Sequence, residues 1–96
     1  MSSFSFELPA DFADYEWEVE VKGWFSEATM IVSGKRYRLN FYDAVRLGQS
    51  IEGELQSGDN FFEPNLVVVK SVTGSNMRQA AELLAKSDVT KFLVPE

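Results

Sequence analysis

The chain contains neither cysteine nor histidine. Without cysteine there are no disulfides and no thiol nucleophile, and without both residues the ligands of nearly all structural zinc sites are missing. Histidine is also the side chain most used to move protons near neutrality and the usual switch between pH 5 and 8. The surface charge is therefore expected to stay nearly constant across that range. Glycine and proline are sparse, at six and three of 96 residues, so the composition reads as globular rather than disordered. No apolar run approaches the ~20 residues of a membrane span. Met1-Ser2-Ser3-Phe4 has neither a basic start nor a signal-type apolar core. The expected location is the cytoplasm, and no membrane partner is expected.

Positive charge is missing from the first 21 residues. Glu7, Asp11, Asp14, Glu16, Glu18 and Glu20 stand there without a single Lys or Arg, and they account for the whole net charge of −6. The remaining nine acids and nine bases cancel. A basic face, which phosphate binding requires, is absent from the composition, so nucleic acid is not expected as a partner. The length fits one domain over 1–96, large enough to fold without staples.

Phe4, Phe6 and Leu8 alternate with Ser5 and Glu7, and Pro9 ends the alternation. Residues 1–14 read as a loose N-terminal arm or an edge strand. Tyr15 to Lys22 alternates without a break, the pattern of a half-buried strand over about 15–22. Glu27 to Ser33 is rich in β-branched residues and predicts a second strand over 27–33. Ser33-Gly34-Lys35 is a tight-turn signal, and a third strand follows over 36–41. With Gly34-Lys35 as a two-residue loop, Val32 faces Tyr37, Met30 faces Leu39 and Ala28 faces Phe41. With Gly23–Ser26 as the preceding loop, Val21, Val19 and Trp17 face Ala28, Met30 and Val32. All these apolar side chains then share one face. Glu16, Glu18 and Glu20 share the other with Arg36 and Arg38, across the middle strand.

Asp43 predicts an N-cap for a helix over 43–57, with Ala44, Leu47, Gly48, Ile51 and Leu55 at helical spacing and Gly58 as its stop. Gly48 reads as a close approach to the sheet. Leu66 to Val69 is an uninterrupted apolar run and predicts a strand over 66–72 buried on both faces. Ser75 predicts the cap of a helix over 76–86 with Met77, Ala80, Ala81, Leu84 and Ala85 inward, and a short last strand can follow over 90–94. The fold class is α+β. A three-stranded antiparallel meander, a helix, a buried strand and a second helix form a two-layer sandwich, with both helices on one sheet face and the other face open.

Few arrangements suggest chemistry. Glu16, Glu18 and Glu20 would stand about 7 Å apart along a strand, a separation that suits an acid–base pair, but an open sheet offers nothing to raise one pKa. They read as a solvated face or an acidic docking stripe. Asp59, Asn60 and Glu63 read as a turn, since the calcium-loop pattern is not met. Lys70 and Ser71 point to opposite faces of a strand and cannot form a nucleophile pair. No glycine spacing makes a phosphate loop. Trp24 and Phe25 fall in a loop, where aromatics either close the end of a core or anchor an interface. No catalytic residue, metal ligand or cofactor site is assigned.

The expected function is a small cytoplasmic protein-binding module, non-enzymatic, with Glu16, Glu18, Glu20, Arg36, Arg38, Trp24 and Phe25 as its contact residues and a basic protein as the natural partner. A toxin-neutralising (immunity or inhibitor) protein is one alternative, because such proteins are often small and acidic. A small-ligand carrier or minor enzyme with a pocket between sheet and helices is another. Self-association through edge strands and exposed aromatics, as a homodimer, is a third.

Overall fold

The computed structural model describes residues 4–96, apart from the side chain of Val89; the first three residues of the expected arm lie outside the described part. The chain runs β1 (Phe4–Glu7), α1 (Phe12–Lys22), β2 (Trp24–Val32), β3 (Lys35–Tyr42), α2 (Ala44–Gln56), β4 (Leu66–Val68) and α3 (Gly74–Ala85), then a 3-10 turn over Asp88–Phe92. It is an α+β fold with one open mixed sheet in the order β1-β2-β3-β4. The two left-hand pairs are antiparallel, and β4 runs parallel to β3.

The β2–β3 hairpin turns on Ser33 and Gly34, both at positive φ (52° and 81°). That is the backbone a two-residue type I′ loop requires, and it matches the twist of the flanking strands. The loop is thus Ser33-Gly34 and not Gly34-Lys35. Val32 pairs with Lys35, Met30 with Tyr37 and Ala28 with Leu39. The register differs from the expected one by two residues, so every side chain keeps its predicted face. A bulge between Phe25 and Ala28 then resets the pairing to Phe25 with Phe41 and Trp24 with Tyr42.

The largest correction is residues 15–22, which are helix and not strand. The neighbour position beside β2 is held by β1, where Phe4 pairs with Val32 and Phe6 with Met30. The arm is therefore an edge strand and supplies the third strand of the antiparallel set. With that place filled, Phe12, Tyr15 and Val19 face the core on either side of a kink at Tyr15 (φ −132°, ψ 16°), Phe12 and Val19 being buried. The alternating glutamates favour the helix as well, being good helix formers and depleted in strands. Gly23 ends α1 in the left-handed conformation, its N–H donating to Val19 O at 2.9 Å.

The core lies on one sheet face, under α1 and α3. Met30, Leu39, Phe41, Val72 and Met77 are fully buried between these layers. Met77, Ala80, Ala81, Leu84 and Ala85 of α3 all join the core, as their spacing predicts. Its cap is Thr73 rather than Ser75, with Thr73 Oγ1 accepting from Asn76 N at 3.2 Å.

The helix expected over 43–57 forms as α2, capped by Asp43 Oδ1 accepting from Arg46 N at 2.7 Å. Its stop has Schellman geometry: Gly58 N donates to Leu55 O and Asp59 N to Glu54 O. Yet α2 adds no buried residue, and space is open around Gly48, so that glycine makes no close approach to the sheet. The helix instead meets Tyr42, which alternation along β3 places on the outer face with Arg38 and Asn40. Of the two helices expected over the core, α3 is there and α1 takes the place of α2.

The strand expected over 66–72 is three residues long and lies at the sheet edge, with Leu66 and Val68 exposed and Val67 alone packed on the core. The apolar run is short-lived as a strand because Val69 N makes the last bond to Tyr42 O before the chain turns away toward α3. Residues 90–94 form no strand: the 3-10 turn takes 88–92, and Pro95 has no N–H for a ladder. Even so, the chain end lies along β3. Val94 exchanges hydrogen bonds of 2.8 Å with the Asn65 side chain, and Glu96 N donates to Arg36 O at 2.8 Å.

Candidate functional site

α1 turns two of its largest apolar side chains away from the core. Trp17 is 65% and Val21 79% exposed, one helical turn apart. Beyond the kink, Glu18 and Glu20 are exposed neighbours at helical spacing, and exposed Asp14 lies just before it. Read as a strand, the sequence places Trp17 and Val21 inside. As a helix, it cannot bury both these residues and the Phe12–Val19 stripe.

On the flank of α1 that faces β2 lies a groove of about 280 Å³. Tyr15, Glu18, Val19 and Lys22 form one wall, and Trp24, Phe25, Ser26 and Glu27 the other. Trp24 is 37% exposed and tilted against Tyr42, with ring centroids 6.4 Å apart. Phe25 is only 5% exposed and packs edge-on to Phe12 at 5.1 Å. Of the two aromatics expected in a loop, Phe25 closes the core and Trp24 stays available at the rim. Both stand at the start of β2, and not in a loop, because Gly23 alone makes the turn out of α1. The Tyr15 hydroxyl is pushed above its ordinary pKa, by burial first and then by the charges of Asp11 and Glu27.

Glu16 does something else. Its Oε2 accepts from Gly74 N at 2.7 Å, so its carboxylate sits at the first turn of α3. There it satisfies an N–H that has no partner within the helix and opposes the positive end of the helix dipole. Glu16 thus ties α1 to α3. Replacing it by alanine is expected to cost about 1 kcal/mol, the usual size of a lost cap, whereas Glu20→Ala should lie within about 0.5 kcal/mol of the parent. Urea denaturation of both variants checks this, and equal midpoints for the two would refute the cap.

The acidic stripe and the two arginines do not share a face. Arg36 and Arg38 stand on the outer face of the sheet, where Arg36 pairs with Glu7 at 3.2 Å and with Glu96 at 3.5 Å, and Arg38 with Glu96 at 3.3 Å. The arrangement of acids on the first strand and bases on the third is present, but the acid is Glu7 of β1. These side chains are 37–62% exposed, so each pair contributes roughly 0–1 kcal/mol. Glu16, Glu18 and Glu20 occupy α1 instead, three roles on three sides: cap, groove wall and free surface. Among the described residues, no group of three acidic side chains comes close enough to hold a metal ion, and no helix is long and apolar enough to cross a membrane.

The spacing of Phe12, Tyr15 and Val19 is the signal that could have exposed the α1 face and the groove. A contact that no sequence signal marks is that of Tyr42. Its hydroxyl donates to Glu63 Oε1 at 2.6 Å, beneath Phe61, across 21 residues of chain.

No protein-family model, curated protein or solved structure matches this chain.

Proposed function

We propose that this chain is a protein-binding module that meets a basic partner through the outer face of α1. The observation that carries the reading is the pair Trp17 and Val21, exposed one turn apart on a helix that also exposes Asp14, Glu18 and Glu20. Exposed tryptophan at the centre of a charged rim is the composition of an interface anchor. A mostly acidic surround, with Lys22 its one base, selects partners by charge and speeds encounter with basic ones. The reading is of a non-enzymatic, cytoplasmic module, and a cysteine-free composition is compatible with a reducing compartment.

The test is capture of a partner by the full chain at low and at high salt, followed by titration of that partner once purified. The expected result is a partner whose affinity falls with salt and falls at least about tenfold with Trp17→Ala, equivalent to ~1.4 kcal/mol. Joint replacement of Glu18 and Glu20 by glutamine should chiefly slow association. Binding that ignores both the salt and Trp17→Ala would overturn the reading.

A further inference from the structure

Resting on that reading, we infer that the groove between α1 and β2 receives an arginine side chain presented by an extended segment of the basic partner.

The sheet leaves a place for such a segment. β1 pairs with β2 only from Phe4–Val32 to Glu7–Thr29, whereas β2 continues to Trp24 and stays paired with β3 there. Among the described residues, Trp24 to Ala28 have no strand on the β1 side. The groove opens along this stretch. An unpaired strand edge offers backbone donors and acceptors to an added strand, and the neighbouring pocket then selects a side chain.

The lining says which side chain. Glu18 stands on the helix wall and Glu27 on the strand wall, with Lys22 the single base among the lining residues. Tyr15 supplies aromatic surface on the helix wall, and Trp24 stands at the strand rim with its ring turned toward Tyr42. A planar guanidinium lies flat on an aromatic ring while its fork of N–H donors reaches carboxylates on either side. A lysine ammonium is a point charge and can use less of this lining. An acidic side chain would meet two like charges. Trp24 is held in place from behind by Tyr42.

The probe is a blocked heptapeptide with threonine and valine around a central arginine. Its counterpart carries citrulline, which keeps the shape and loses the charge. Each is titrated into the isotopically labelled full chain, and amide shifts are followed by NMR. The arginine peptide should shift amides from Trp24 to Glu27 and from Tyr15 to Lys22, and should bind at least tenfold more tightly than the citrulline peptide. Glu27→Gln should weaken it about tenfold, and Glu54→Gln, an exposed acid on α2 outside the groove lining, should leave it unchanged. Glu27 is exposed and outside the core, so its variant keeps the fold, which circular dichroism verifies. Equal binding of the two peptides, absence of binding, or shifts confined to the Trp17 and Val21 face would overturn the inference. The last outcome leaves the basic-partner reading standing. Failure of both requires in addition that no salt-sensitive partner depends on Trp17.

Discussion

Gly23→Ala is expected to destabilise the protein by about 2–3 kcal/mol, lowering its melting temperature by roughly 10–20 °C for a domain of this size. Two effects add. Gly23 sits at φ 73°, ψ 23° as the terminal cap of α1, and an L-residue in the left-handed region costs roughly 1–2 kcal/mol. The new methyl carbon would also lie 2.7 Å from Asp43 Cγ. That carboxylate is not free to swing away without loss, because it caps α2 through Arg46 N at 2.7 Å. Losing such a cap costs about 1 kcal/mol more. The same junction is closed by Asp43 N donating to Gly23 O at 2.9 Å, so one residue joins the end of α1, the start of β2 and the start of α2. Gly34→Ala is the control. Gly34 has φ 81° with nothing within 4 Å of the added carbon, so only the backbone cost applies. Equal losses for the two variants would show that the contact with Asp43 does not matter. In a double-mutant cycle, Asp43→Ala should recover part of the Gly23→Ala cost, since it removes the obstructing group.

How far the sequence could be read depends on whether local pattern and tertiary demand agree. For the hairpin they do. Ser33-Gly34 tolerates positive φ, the flanking residues alternate, and a two-residue error in register still leaves Met30, Leu39 and Phe41 inside. For α3 they agree again, with Met77, Ala81 and Leu84 at helical spacing behind a Thr cap. Residues 15–22 carry two patterns at once. The alternation of Trp17, Val19 and Val21 suits a strand, and the spacing of Phe12, Tyr15 and Val19 suits a helix. The arm decides between them: once Phe4 and Phe6 pair with Val32 and Met30, a strand at 15–22 cannot take the register on β2 that its alternation requires. That competition is between distant segments, so no window of the sequence contains it. The candidate site inherits the outcome. Of the residues expected to make contacts, Glu18 and Trp24 both line the groove, but Glu16 became a cap, Phe25 became core, and Arg36 and Arg38 went to another face. Trp17 and Val21 are exposed by the same choice that buries Val19. A helix with this alternation must leave large apolar side chains outside, which is why the proposed binding face lies there.

Tyr42→Phe should cost about 2 kcal/mol at neutral pH and almost nothing near pH 12. Tyr42 is 3% exposed, and its hydroxyl donates to Glu63 Oε1 at 2.6 Å. The other carboxylate oxygen, Oε2, is buried without a hydrogen-bond partner among the described residues, so the tyrosine carries the polar satisfaction of this group. A hydrogen bond to a charged group contributes roughly 1.5–3 kcal/mol, and removing one partner leaves the other desolvated. The pH dependence follows from the same contact. Burial, then the hydrogen bond to Glu63 and its charge, push the hydroxyl up from 10.0 to about 12, against the opposing effects of Arg46 and Ser50. The folded state therefore holds this proton more tightly than the unfolded chain. The stability it confers is complete below pH 10 and is lost as the pH rises through about 12. The variant has no such proton to lose. The gap in unfolding free energy between parent and Tyr42→Phe should thus be constant from pH 7 to 9 and shrink by about 2 kcal/mol between pH 10 and 12, on the scale of ~1.4 kcal/mol per pKa unit. Taking the difference between the two proteins cancels the other tyrosines and the lysines, which titrate in both. Glu63→Gln supplies the complementary measurement: with the charge removed, the Tyr42 hydroxyl should ionise at lower pH, seen as an earlier alkaline rise in tyrosinate absorbance. A gap that stays constant to pH 12, or an alkaline rise that Glu63→Gln does not move, would mean that the 63–65 loop is held against β3 without this bond. In that case Asn40 Nδ2 donating to Pro64 O and Asn65 Nδ2 donating to Arg38 O, at 2.8 and 2.9 Å, would be the contacts that hold it.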